Sequence, residues 1–296
     1  RDSMYTFGIK HTTADNMTTM LQGSQVGPTP TFFFDYSVKD LRRDITCCPF
    51  QWTKGVQTLQ SFKSWSFGKL RYEWTNRMIP TGNDDGINRQ YMRYADIVLM
   101  RAELENELNG ASAAVPYLTK IRNRAFATSD RATEVTAYVA EAALSKEKMF
   151  QAIVDERAYE FAGELIRKAD LIRWGMLKSK MDETKNKMKA IVSLTDYDSK
   201  HPYSQLSGHA YYKMSAYTWT RNGIETTEKD AKLNLYGLNY GEMDINPEGY
   251  TEFSDSKGEA STWIKDNALE DVIDYLYVRD PDKYQYWPIF NVNLND

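Results

Sequence analysis

Apolar side chains recur at helical spacing through one central stretch of the chain and lose that rhythm on either side of it. From about Asn88 onward, Met92, Ala95, Ile97, Leu99, Met100, Leu104 and Leu108 fall on successive helical turns, and Asn109-Gly110 reads as a stop. Ala111 to Phe126 repeats the pattern with Val115, Leu118 and Ile121, and places Pro116 in what the spacing predicts to be the first turn, where proline is tolerated. A second pair follows. Ser145 precedes Lys146-Glu147-Lys148 as an N-cap with an acid early in the first turn. Phe150, Val154 and Phe161, flanked by Met149 and Ile153, form its apolar face, and residues 167–189 supply its partner helix. Helix pairs of this length are tetratricopeptide-like units, which bury their faces only against neighbours. Two pairs fall short of the roughly three repeats that a free-standing array needs, which predicts further repeats upstream.

The flanks read differently. Before about Gly82 the chain is polar and aromatic, punctuated by Gly23, Gly27, Pro28 and Pro30, with Phe32-Phe33-Phe34 and the stretch from Lys69 to Trp74 as possible short strands and Lys39 to Asp44 as a short helix or turn. After Ile191 the periodicity fades into a tyrosine-rich region with Arg221-Asn222-Gly223, Tyr236-Gly237-Leu238-Asn239 and Asn246-Pro247-Glu248-Gly249 as breaks, and residues from Trp263 to Val278 return to one helix. The expected fold is mainly α: helix pairs over 83–191, overlaid by loops and short strands from 1–82 and by an irregular, aromatic-rich subdomain over 192–296, forming one compact unit.

The densest chemistry lies in the second pair. Glu156, Arg157, Glu160, Phe161 and Glu164 are followed by Arg167, Asp170, Arg173, Trp174 and Gly175. So many acids and arginines beside apolar side chains require pairing to be tolerated in a packed interior. This pattern resembles the core motif of the SusD/RagB family, the glycan-capturing outer-membrane lipoproteins of Bacteroidetes. Two further segments agree in order: Arg93-Tyr94-Ala95-Asp96 through Glu103, with Arg122 and Arg124 in the next helix, and the closing Trp287-Pro288-Ile289 with Asn291, Asn293 and Asn295. Asp40-Leu41-Arg42 is similar to a further element of that family. The chain departs from the family pattern where Leu165 follows Glu164 in place of glycine, where Lys168 follows Arg167 in place of an aromatic, and at Phe290, which replaces a proline. The resemblance implies a longer parent protein with a lipid-modified cysteine and helical repeats ahead of Arg1, attached to the outer face of the bacterial outer membrane.

Composition narrows the chemistry. A net charge of −4 gives no basic footprint, so nucleic acid is not an expected partner. No apolar run approaches the ~20 residues that span a bilayer. Cys47 and Cys48 are adjacent, and a vicinal disulfide closes no useful loop; they read as small apolar residues. Three scattered histidines, His11, His201 and His209, offer no metal-ligand spacing, and neither a metal nor a cofactor is expected.

A glycosidase needs two carboxylates facing each other across a cleft. Glu156, Glu160 and Glu164 instead recur every four residues, a ladder on one helix face that reads as pairing with Arg157, Arg167 and Arg173. No phosphate loop, nucleophile elbow or metal-binding histidine pair accompanies them. Aromatic residues make up 13% of the chain, and many lie outside the helical pairs, where sugar C–H faces could stack on them. The candidate ligand contacts are Tyr5, Phe7, Trp52 and Trp65 as platforms, with Arg42 or Asn76 as polar partners; Trp74 is a further candidate ring, while Trp174 is assigned to packing. By resemblance, the function is non-catalytic capture of an oligosaccharide or polysaccharide and delivery to a SusC-like TonB-dependent porin. A peptide- or protein-binding helical scaffold and a glycoside hydrolase are the alternatives.

Overall fold

The computed structural model describes residues 7–19, 23–60, 64–80, 90–221, 224–243, 245–253 and 273–283. Its body is helical. Helices α1 (Pro30–Asp35) and α2 (Arg43–Thr46) lie in the first region. α3 (Tyr94–Asn109), α4 (Ala111–Ala125), α5 (Tyr138–Ala142), α6 (Lys146–Phe161), α7 (Arg167–Arg173) and α8 (Leu177–Ser193) follow. α3 and α4 are antiparallel: Lys120 near the end of α4 donates to the hydroxyl of Tyr94 at the start of α3, at 3.0 Å. Ala95, Val98, Leu99 and Ala102 of α3, Ala114, Leu118 and Ile121 of α4, and Met149, Ile153 and Phe161 of α6 close one apolar core. Ser145 caps α6 by accepting from the Lys148 N–H at 3.1 Å, as its position at the start of the apolar pattern predicts.

Several expectations change. α3 begins at Tyr94, later than the Asn88 start read from the pattern. Pro116 lies inside α4, on its second turn, so it removes a real backbone donor and leaves the Ser112 carbonyl without its helical partner. The single partner helix expected over 167–189 is two helices, because Gly175 at φ 65° turns the chain between α7 and α8. α6 stops at Phe161, and Glu164 stands in the turn beyond it. Phe32-Phe33-Phe34 is helical, not a strand: one turn of α1 directs Phe33 edge-on to Trp65, Phe34 to Tyr203, and Phe32 to Tyr36 and Tyr159. The Lys69 to Trp74 stretch ends in a 3₁₀ turn, Tyr72–Trp74.

Short antiparallel ladders join β1 (Cys47–Cys48) to β4 (Ser66–Phe67) and β2 (Phe50–Thr53) to β3 (Val56–Leu59). The region after Ile191, expected to be irregular, holds a long hairpin of β5 (Tyr211–Arg221) and β6 (Ile224–Tyr236), with β7 (Thr251–Glu252) on the outer side of β5. Register runs from Tyr211 opposite Tyr236 to Arg221 opposite Ile224 and is interrupted by a bulge between Ser215 and Tyr217. The hairpin docks on the first region, where the Leu233 N–H donates to the Gln57 side chain at 2.9 Å and Ala231 enters a core with Ile9, Met17, Phe50, Trp52 and Tyr72. A third core gathers α1, α8, Trp65 and Tyr203. Of the helix expected from Trp263 to Val278, only Ile273 onward lies within the described residues, which contain a 3₁₀ turn, Asp274–Leu276. The closing Trp287-Pro288-Ile289 motif lies outside them.

Candidate functional site

The motif residues build a buried ionic joint between the loops and the helices. Glu156, without exposed surface, accepts from Arg42 at 2.8 Å and Arg122 at 2.7 Å. Glu160 accepts from Arg42 at 2.9 Å, from Arg93 at 2.5 Å and from Arg124. Glu164 is held by Arg93 at 2.7 Å and by Lys69 at 2.7 Å. Glu156 and Glu160 are therefore on α6 as expected, while Glu164 lies in the turn after it, and the cations come from other elements and not from Arg157, Arg167 and Arg173. Arg157 instead bridges Asp96 and Asp170, each at 2.7 Å. Arg173 clamps Glu103 at 2.5 and 2.8 Å and reaches Asp170 at 3.0 Å. Arg167 donates to the Val154 carbonyl at 2.8 Å. Phe161 lies between the guanidinium groups of Arg93 and Arg157, 4.7 and 4.9 Å from its centroid. Trp174 donates its indole N–H to Glu103 at 2.9 Å and meets Phe150 edge-on.

The electrostatics follow from that pairing. Burial alone would raise the Glu160 pKa; the hydrogen bonds from Arg124 and Arg93 and the charges of Arg93 and Arg42 outweigh it and hold the carboxyl at about 2. Burial likewise acts to lower the Arg42 pKa, and Glu156 and Asp40 reverse that, raising it above the ordinary guanidinium value. These acids face cations, not a second carboxylate across a cleft. Cys47 and Cys48 are unbridged and buried, and burial pushes the Cys48 thiol up to about 12. Among the described residues no cluster of histidine, cysteine and acid side chains is arranged to hold a metal.

The structure separates the candidate ligand residues. Trp52 has no exposed surface: His11 stacks at 6.2 Å, Phe50 meets it edge-on at 5.8 Å and Tyr217 of the hairpin lies at 5.9 Å. It is a core residue and offers no platform. Trp65 is 3% exposed, its ring against Phe33. Arg42 is committed to Asp40, Glu156 and Glu160 and is not available as a sugar partner. Phe7 is half-buried, Asn76 is exposed, and Tyr5 lies outside the described residues. Of the described candidate rings, Trp74 is the most open, 54% exposed, with the Arg71 guanidinium 4.8 Å from its centroid on one side and Asn76 two residues on. Residue type alone did not rank Trp74 above Trp52; the charged Arg71 and polar Thr75-Asn76 around it were the available signal.

Two concavities among the described residues bear on the site. One, of about 320 Å³, is lined by Lys10, Gly23, Ser24, Gln25, Gly27, Pro28, Gln60, Ser64 and Trp65, mostly through polar atoms. Gly27 is required there because a Cβ would fall 1.8 Å from the Trp65 carbonyl oxygen. The other, of about 290 Å³, has an apolar floor of Ala95, Val98 and Ile121 and a rim that includes Arg93, Lys120 and Arg124. Beside it, Tyr94, Ile97, Leu104 and Leu108 leave an exposed apolar stripe along α3.

Comparison with known proteins decides what this arrangement belongs to. The SusD family model matches residues 62–295, nearly the whole chain after the first loops. This chain belongs to the SusD family. A SusD-like protein of Formosa agariphila is 48% identical over 90 residues, 30% of this chain and 16% of that protein. A solved SusD homologue from Bacteroides thetaiotaomicron shares the fold with a TM-score of 0.51 at 23% identity, over 64% of this chain and 40% of the homologue. The chain thus matches well under half the length of either relative. The ionic joint is the scaffold of this SusD-family chain, and the loops over it carry Trp74 and the polar concavity.

Proposed function

We propose that this SusD-family chain captures a glycan at the outer face of the bacterial outer membrane, without cleaving it, and presents it to a SusC-like TonB-dependent transporter. Family membership supports the class of function. The observation that carries the reading to particular residues is Trp74: a large ring left 54% exposed, backed by Arg71, beside an exposed Asn76 on a loop held over a rigid helical body. Sugar rings bind such platforms by packing C–H faces on the aromatic surface while nearby polar groups fix orientation. No helix among the described residues is long and apolar enough to cross a membrane; the family reading assigns membrane attachment to a lipid anchor of the full-length protein.

Calorimetry against neutral plant, host and microbial glycans tests it. The expected result is binding of at least one glycan, recovered uncut, that weakens about tenfold in Trp74→Ala, equal to about 1.4 kcal/mol. A second reading, a peptide- or protein-binding scaffold, draws on the exposed stripe of Tyr94, Ile97, Leu104 and Leu108 along α3. Absence of glycan binding would move the function to that helix face, whereas glycan binding indifferent to Trp74→Ala would remove Trp74 as the platform and leave capture standing.

A further inference from the structure

The polar concavity beside Trp65 is built by three chain segments fixed to one another through backbone bonds. The Lys10 carbonyl accepts from the Trp52 N–H at 2.9 Å, which anchors the first segment to β2. The Ser24 N–H donates to the Gly8 carbonyl at 2.9 Å, holding the Gly23 to Pro28 loop against that segment, and Gly27 presses on the Trp65 backbone. Gln60 is set by its own amide: the nitrogen donates to the Phe50 carbonyl at 2.9 Å and to the Ser66 hydroxyl at 3.2 Å, leaving its carbonyl oxygen as the group it can offer a ligand. The lining is thus preorganised, which lowers the ordering cost of binding.

Its chemistry is specific. Ser24, Gln25, Gln60 and Ser64 supply hydroxyls and amides, Lys10 supplies one ammonium, and no carboxylate stands among the described lining residues. Trp65 contributes to the wall while its ring is buried, so recognition here comes from hydrogen bonds and charge, not stacking. A volume of about 320 Å³ suits the end of a short oligosaccharide. The chain as a whole carries a net charge of −4, so its overall field opposes an anion and any preference for one must come from the local ammonium.

We infer that this cavity is a subsite for an acidic sugar unit, whose carboxylate or sulfate is held by Lys10 while its hydroxyls meet Ser24, Gln25, Gln60 and Ser64. This rests on the glycan reading above and adds to it a charge class and a location separate from the Trp74 ring. Calorimetry of the full chain with galactobiose, digalacturonate and a sulfated galactobiose separates the possibilities. The anionic probes are expected to bind about fivefold tighter than galactobiose at low salt, with the margin shrinking at high salt. Lys10→Met removes the margin between the anionic probes and galactobiose, and Lys10→Arg keeps it. Lys10 is exposed and only its backbone is used structurally, so both variants fold. A margin for one anionic probe alone assigns the site to carboxylate or to sulfate. Equal binding of all three probes, or a margin that survives Lys10→Met, overturns the acidic subsite while leaving glycan capture standing. No binding by any probe, in a chain that also binds nothing in the neutral panel used for Trp74, overturns both.

Discussion

At the scale of single residues, Glu160 shows how pairing overrides burial. Its carboxyl is held at about 2 against an ordinary 4.5, because three arginines reach it. A depressed folded value contributes stability that is fully present above pH 4.5 and is lost as pH falls through about 2. The shift corresponds to roughly 3 kcal/mol. Denaturant unfolding followed from pH 7 to pH 2 is expected to show this loss in the parent chain and not in Glu160→Gln. At neutral pH that variant should be weaker by about 3 kcal/mol, since the carboxylate charge that Arg42, Arg93 and Arg124 share is gone. An acid limb of the same size in both would remove Glu160 from the account. Sequence made the residues of this network legible, because closely spaced acids and arginines cannot be left unpaired in a core. It did not give the pairing. Partners close in sequence, Arg157 on the same helix and Arg167 and Arg173 on the next, are the near choice on paper, whereas Arg42, Arg93 and Arg122 arrive from elsewhere in the chain, and only packing decides which arrive. The same limit applies to the rings: Trp52 and Trp74 are chemically alike, and their neighbours in space make one a core residue and the other a surface plate.

At the scale of elements, termini and turns carried the errors. The α6 start was readable because Ser145 has one favourable role there. Its end was not, since acid and apolar spacing continues past Phe161 while the backbone leaves the helix at Ala162, and Gly163 and Leu165 take φ of 79° and 64°. The family pattern places glycine where this chain has Leu165, and the structure supplies the reason: the position is left-handed, where a Cβ is costly. Leu165 is 52% exposed, so little packing offsets that cost. Leu165→Gly is expected to raise stability by about 1 kcal/mol in thermal or denaturant unfolding. A drop of similar size would mean that the side chain is worth more than the backbone strain. The β5–β6 hairpin was the larger omission. Asn222-Gly223 between strands of alternating residues is a strong hairpin signal, but clustered tyrosines and the shift of register near Ser215 hide the alternation.

At the scale of the whole molecule, fold class was legible because motif order constrains more than any one motif. The coverage of the first loops was not, since they owe their shape to what lies beneath them. Arg42 is the clearest case. It stands 114 residues before Glu156 and 118 before Glu160, yet hydrogen-bonds both. A contact at that separation closes a very long loop, and such closures come late on the path to the native state. The expected order of assembly has α6 pack on α3 and α4 early, its acids staying hydrated until the loop bearing Asp40-Leu41-Arg42 arrives and lets water leave. Arg42→Met should then speed unfolding while leaving the refolding rate within about twofold, a split that stopped-flow kinetics across denaturant resolves. Slowed refolding of comparable size would instead put Arg42 in the nucleus. If unfolding alone responds, the joint that fixes the loops over the helices is a latch, closing last and setting how long the closed shape endures.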